Sequence, residues 1–110
     1  MPTFITYASY SNAGIKGIVD KPTDRTEAIR PVVEKLGGKL VAAYMTTGTN
    51  DVVLVTELPD GSDAVAVGMA ACASGAVSKI ETVRAWTAGE FKGIAEKAAR
   101  VAKAYTPPGA

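Results

Sequence analysis

The strand-like stretches of this sequence are apolar on both faces, and that feature constrains the fold more than any other. Four stretches are rich in β-branched and aromatic residues: Thr3–Tyr10, Lys39–Thr47, Asp51–Glu57 and Val77–Thr87. Successive side chains of a strand point to opposite sides. The first strand sets Phe4, Thr6, Ala8 and Tyr10 against Ile5, Tyr7 and Ser9. The second sets Leu40, Ala42 and Tyr44 against Val41, Ala43 and Met45, and the third sets Val52 and Leu54 against Val53 and Val55. The fourth places Ile80 and Trp86 on one side, Val83 and Ala85 on the other. A sheet covered by helices on one side only alternates to polar residues on the other. At roughly 25 cal/mol per Å² of apolar surface, leaving such a second face in water forgoes many kcal/mol. Both faces of this sheet must be covered.

The segments between the strands supply helices for one face. From Asp24 to Leu36 the apolar residues Ala28, Ile29, Val32, Val33 and Leu36 recur at spacings of 3 and 4. Thr23 is placed to cap this helix, Gly37-Gly38 ends it, and Pro31 is expected to bend or restart it. Ile15–Asp20 is too short to assign beyond a helical turn. Gly48-Thr49-Asn50 joins the second and third strands as a hairpin, with Gly and Asn supplying positive φ. A second helix is predicted over residues 63–74, capped by Ser62 or Asp63 and stopped by Gly75, and a last one from Ala88 to Tyr105. The last helix has Phe91, Ile94, Ala98, Val101 and Tyr105 on one stripe.

The order β-α-β-β-α-β-α predicts an α+β, ferredoxin-like βαββαβ domain with an extra C-terminal helix. Residues 1–105 form the domain and 106–110 a flexible tail. Right-handed crossovers put strands one and three in the centre of a four-stranded antiparallel sheet. Two helices cover one face, and two covers are open for the other. The amphipathic C-terminal helix could cap one end; an identical chain would hide the rest and complete an eight-stranded dimeric α+β barrel. The second helix has Asp63 as its only charge, so an outward side of Ala64, Ala71 and Ser74 either meets a neighbour or reflects close packing through Gly68.

Several segments resemble the GYD-domain family, named for a Gly-Tyr-Asp signature at the start of its third strand. They are Gly14-Ile15-Lys16-Gly17-Ile18 with Pro22 and Arg25, the run Glu34–Leu40, the hairpin Thr46–Asp51, Glu57-Leu58-Pro59-Asp60 and Thr82–Thr87. The resemblance runs from about Pro2 to Ile94 and implies a dimeric α+β barrel. That group includes cofactor-free monooxygenases, lactone isomerases and proteins with no known activity. Gly48 and Asp51 match the signature, but Asn50 stands where the family has its tyrosine.

Composition closes several chemistries. There is no histidine, so Ser-His-Asp, Cys-His and histidine-based metal sites are excluded. Cys72 is the single cysteine: no internal disulfide can form, and with no activating partner it is expected to be a packed thiol. No phosphate loop or dinucleotide fingerprint is present, Gly14-x-x-Gly17 being too short, and no cofactor or metal is expected. Twelve basic residues against eleven acidic give a net charge of +1, without the electrostatic footprint of a nucleic-acid or membrane binder. Met1-Pro2 leads straight into a strand, with no export signal, which points to the cytoplasm.

What remains is a homo-oligomer, at least a dimer, whose barrel holds a small aromatic or lactone-like molecule. The ligand-binding candidates are Tyr7, Ser9, Tyr44, Thr46, Arg84 and Trp86: hydroxyls in an apolar cavity, and an arginine beside a tryptophan able to hold a carboxylate or enolate. If the barrel is catalytic, as a monooxygenase or isomerase, proton transfer falls to Asp51, Tyr7 or Tyr44; Asp51 equally serves as an acceptor in the hairpin turn. A structural or regulatory interaction module is the third reading, using the neutral second helix and the last helix with its Lys92, Lys97, Arg100 and Lys103. Ser11, Asn12 and Lys16, after the first strand, could receive an anion.

Overall fold

The computed structural model describes residues 1–110. The elements are β1 (Thr3–Tyr10), α1 (Asn12–Asp20), α2 (Arg25–Lys35), β2 (Lys39–Met45), β3 (Val52–Glu57), α3 (Gly61–Ala73), β4 (Val77–Ala85) and α4 (Ala88–Ala102). The four strands form one antiparallel sheet in the order β2-β3-β1-β4, the ferredoxin-like arrangement with β1 and β3 central.

Alternation sorts the two faces of the sheet. Phe4, Thr6 and Ala8 of β1 and Val52, Leu54 and Thr56 of β3 are buried beneath the helices. Phe4 packs with Val33, Leu58 and Ala64, while Ala8 packs with Leu40, Val52 and Leu54; Ile29 of α2 joins both groups. The hydroxyls of Thr6 and Thr82, directly opposite each other, share a hydrogen bond of 3.0 Å. That contact satisfies two polar groups the helix layer would otherwise strand.

Several local expectations are corrected. Residues 12–20 form a full helix, α1, whose cap Ser11 accepts from the Gly14 N–H and fills the N-terminus that an anion would have used. Gly14 is buried, and a Cβ there would collide with the Ala76 carbonyl oxygen, so α1 can lie this close to the start of β4 only with glycine. The cap of α2 is Asp24, one residue after Thr23, and the helix runs on through Pro31 without restarting. The bond Pro31 removes is the one to the Glu27 carbonyl, and both residues lie on the exposed side, where water replaces the donor. Helix α3 starts at Gly61 because Asp60, not Ser62 or Asp63, is its cap: Asp60 and Asp63 close a reciprocal capping box. In the β2–β3 hairpin only Gly48 has positive φ, at +92°; Asn50 does not. Strands β2 and β4 end at Met45 and Ala85, and α4 ends at Ala102 rather than Tyr105.

The register of β2 also departs from simple alternation. It shifts between Leu40 and Ala42, so that Leu40 pairs with Thr56 but Ala42 with Val55. Val41 is the extra residue of this bulge. Leu40, Ala43 and Met45 therefore share the helix side, while Ala42 and Tyr44 turn to the other face.

Helix α3 is also turned differently from expectation. Ala64 is buried and Ala71 half-buried, so both look inward, while Val65, Met69 and Cys72 look outward. Cys72 is an exposed thiol, not a packed one. Helix α4 packs substantially against no other element. The chain is accordingly long, 60 × 33 × 22 Å, with a radius of gyration of 17.8 Å against about 13 Å for a compact domain of this length. No helix is long and apolar enough to cross a membrane.

Candidate functional site

The face of the sheet away from the helices is uncovered, and the strand register arranges its side chains in rows. Ala42, Val55, Ile5 and Val83 lie in register across the four strands. The next row is Tyr44, Val53, Tyr7 and Glu81. Polar residues close the face at both ends, Lys39, Glu57 and Thr3 at one and Ser9 opposite Lys79 at the other. The middle is thus apolar, with two phenols and one carboxylate set in a line, and the rim is polar. Protein interfaces have this anatomy.

Within this row the two tyrosine hydroxyls are free. Neither Tyr7 nor Tyr44 makes a side-chain hydrogen bond, and Tyr44 is 66% exposed. Glu81 stands directly opposite Tyr7 on β4, a placement that brings the two Cβ atoms to about 5 Å. Spacing along β4 puts Glu81 and Arg84 on opposite sides but does not mark Glu81 as a site residue. Its position beside Tyr7 depends on how β4 pairs with β1, which periodicity within one strand does not reveal.

Arg84 and Trp86 do not join this row. Arg84 pairs with Phe4 in register and lies on the helix side. Its guanidinium sits 4.6 Å from the Trp86 ring centroid and 5.9 Å from that of Phe4. It donates to the Thr3 carbonyl at 3.2 Å and to the Ala85 carbonyl. Stacking on one or two rings with donors spent on backbone is a structural use of arginine. The result is a contact between the end of β4 and the residue that precedes the cap of α4.

Ser9, Thr46 and Asp51 are engaged at the hairpin. Ser9 donates to the Thr49 carbonyl at 3.2 Å, and Thr46 to the Asn50 carbonyl at 2.7 Å. The Asp51 carboxylate accepts from the Tyr10 N–H at 2.9 Å, while its own N–H donates to the Ala8 carbonyl at 2.8 Å. Asp51 therefore extends the β1–β3 pairing by one step, which is the turn-acceptor role. Asn50 contributes its carbonyl to this turn, a backbone function that any side chain permits.

On the helix side, α2 and α3 stand apart over the central strands and leave a cavity of about 230 Å³, lined mainly by Ile29, Val32, Val67, Ala70, Val77 and Ile80. A neighbouring hollow of about 430 Å³ lies between α1, α2 and the end of β2, with Arg25, Asp24 and Asp51 around it. Those charges have mixed sign and select no class of ligand. No three His, Cys, Asp or Glu residues converge to hold a metal ion. Lys16 is bound to Asp20 at 2.6 Å along α1.

The carboxylates with displaced pKa values are both at helix N-termini. Asp60 is held below its ordinary value by the Ser62 hydroxyl and by the Ser62 and Gly61 N–H groups. Glu90 is held down by the Thr87 N–H and then by the Thr87 hydroxyl. Both shifts belong to folding of α3 and α4 rather than to a reaction centre.

Comparison with known proteins agrees with this architecture. The crystal structure of TTHA0845 from Thermus thermophilus is similar at 21% identity with a TM-score of 0.51, covering 80% of this chain and 96% of that one. The crystal structure of FFRP-DM1 is similar at 14% identity with a TM-score of 0.55, covering 78% of this chain and 100% of that one. An uncharacterized NIPSNAP domain protein from Burkholderia xenovorans has 14% identity and a TM-score of 0.46, with coverages of 80% and 95%. No curated protein sequence matches the chain significantly. Residues 4–95, which span all of the sheet but Thr3, together with the first half of α4, match the GYD domain, and the chain belongs to the GYD domain family.

Proposed function

We propose that two copies of the chain close their open sheet faces on each other, and that the chamber between them binds a small, mainly apolar organic molecule. The row Tyr44–Val53–Tyr7–Glu81 carries this reading. Packed sheets lie about 10 Å apart, so alanine and valine positions facing each other leave room that leucines or phenylalanines would fill. Ala42, Val53, Val55 and Val83 are short, and the phenols flank them. Phenol hydroxyls donate or accept, and Glu81 accepts. A phenol or an aromatic lactone suits this set better than an aromatic carboxylate, which Glu81 would repel. Isothermal titration with simple phenols and aromatic lactones tests the reading. Saturable binding is expected, weakened about tenfold or more by Tyr7→Phe. A dimer whose sheet faces interdigitate without free volume, or one that binds no member of either class, would overturn it.

Glu81 favours a second reading, catalysis without a cofactor. In a chain without histidine it is the one carboxylate in the two central rows, and it faces a phenol. It could take a proton from a bound phenol or from the carbon next to a lactone carbonyl. Turnover lost in Glu81→Gln with binding retained would establish this reading, and binding without turnover in the parent would end it.

A further inference from the structure

We infer that the cavity between α2 and α3 takes the aliphatic chain of a medium-length carboxylate, with the Arg25 guanidinium holding the carboxyl group. The cavity lies within one chain, so this site is separate from the sheet face and does not depend on the dimer.

The cavity exists because the two helices sit on opposite edges of the sheet. Helix α2 packs on β2 and α3 on β4, whereas β1 and β3 lie between them in the strand order. No substantial contact joins the two helices. The helix layer is therefore incomplete over the centre of the sheet. Ile29 of α2, Val67 of α3, and Val77 and Ile80 of β4 line the opening and are only half-buried, although isoleucine and valine are among the residues most often buried completely. Packed interiors leave few voids larger than a water molecule; this one measures about 230 Å³.

Its size and shape suit a linear chain. It runs from Thr6 and Leu54, in the middle of the sheet, to Tyr10 and Ala76, where β1 ends and β4 begins. The distance from Thr6 to Tyr10 along the strand is about 13 Å. An apolar cavity of about 150 Å³ binds benzene, so at the same filling this one holds about nine carbon atoms. Tyr10 is the only aromatic residue in the lining, which favours an aliphatic chain over stacked rings.

The polar groups decide which end of the ligand is charged. Thr6 shares its hydrogen bond with Thr82, and Ser74 donates to the Ala71 carbonyl at 2.6 Å, so both hydroxyls are spent. Arg25 is the one charged residue of the lining. Arg25 and Tyr10 border both this cavity and the hollow beside α1, and so stand where the two meet. Arg25 is half-buried, yet its guanidinium makes no hydrogen bond, and the one ion pair within 4 Å in the chain is Lys16–Asp20. Asp24 and Asp51 border the hollow but not the cavity, and their carboxylates accept from the N–H groups of Thr26 and Tyr10. The Tyr10 hydroxyl meets only the Met45 sulfur, at 3.7 Å, a weak acceptor. Partly desolvating a guanidinium without a partner costs free energy that an anion at this position restores. The planar fork matches a carboxylate bidentately, and the Tyr10 hydroxyl is a further donor beside it. An apolar pocket with a few polar groups gathered at one end is the usual form of a small-molecule site.

Isothermal titration of the full chain with octanoate, its neutral analogue 1-octanol and the cation octylammonium tests the assignment. Octanoate is expected to bind saturably, one per chain, and about tenfold or more tighter than octylammonium. Arg25→Gln should weaken octanoate by about tenfold or more and leave 1-octanol unchanged. Ala71→Phe, which fills the cavity, should remove binding of both, with circular dichroism showing that each variant is folded. Tyr7→Phe, on the sheet face, should change neither. Octanoate that fails to bind the parent, or that binds Arg25→Gln or folded Ala71→Phe as tightly as the parent, overturns the inference. Loss of octanoate binding in Tyr7→Phe overturns it too, by placing the molecule between the sheets. The sheet-face site is read separately by phenols, whose binding Arg25→Gln should leave unchanged.

Discussion

Replacing Val55 by lysine tests the covered sheet face most directly. Val55 lies at the centre of the apolar row, opposite Ile5 on β1 and Ala42 on β2. In a lone chain it is only half-buried and looks into water. There Val55→Lys changes stability by no more than about 1 kcal/mol, because the lysine stem lies along the sheet and its ammonium stays hydrated. In a face-to-face dimer the exposed part of each valine is buried as well; full burial stabilises by about 1.5–3 kcal/mol, so the half gained on association contributes about 0.7–1.5 kcal/mol. The two-fold axis presents the substitution twice, so association weakens by about 1.5–3 kcal/mol before the cost of two unpaired ammonium groups is added. That is roughly one to two powers of ten in the dissociation constant from lost burial, and the two buried charges add to it. Sedimentation velocity over a dilution series reads this: the parent stays dimeric at micromolar concentration and the variant becomes monomeric with unchanged circular dichroism. A variant whose dissociation constant lies within tenfold of the parent's would refute the covered face, as would a parent already monomeric there.

Three further outcomes concern local structure. Gly14→Ala is expected to destabilise by about 1–3 kcal/mol in urea unfolding, since its methyl group meets the Ala76 carbonyl; Gly17→Ala, in open space on the same helix, should stabilise by about 0.5–1 kcal/mol. Asp51→Ala leaves the Tyr10 N–H without its acceptor and is expected to cost about 1–2 kcal/mol, whereas Asp51→Asn keeps an acceptor and should lose less than half of that. Because Glu90 is held below its ordinary value of 4.5, its contribution is complete above that pH and is lost as pH falls through the lower, folded-state value. Helicity by far-UV circular dichroism should therefore decline in acid below that point, and the part due to α4 should become independent of pH in Glu90→Gln.

Legibility from sequence divides along a physical line. Properties fixed within one segment are readable, namely the strand positions, the α2 stripe and the amphipathic α4, and a general rule of handedness adds the strand order. Properties set by how two segments meet are not. Helix starts differ by one to three residues because Ser11, Asp24 and Asp60, rather than equally suitable neighbours, hold the first N–H groups. The Val41 bulge is the clearest case, since strict alternation puts Tyr44 with Leu40 on the helix side, and one unpaired residue moves it to the open face. Without that shift Tyr44 and Tyr7 would face opposite ways, and no row of phenols would exist. Arg84 shows the same limit from the other direction. It shares its parity with Ile80, Thr82 and Trp86, but which face that parity means follows only from its pairing with Phe4. The composition of α4 states that an apolar partner is required, while periodicity along one helix carries no information about whose surface provides it.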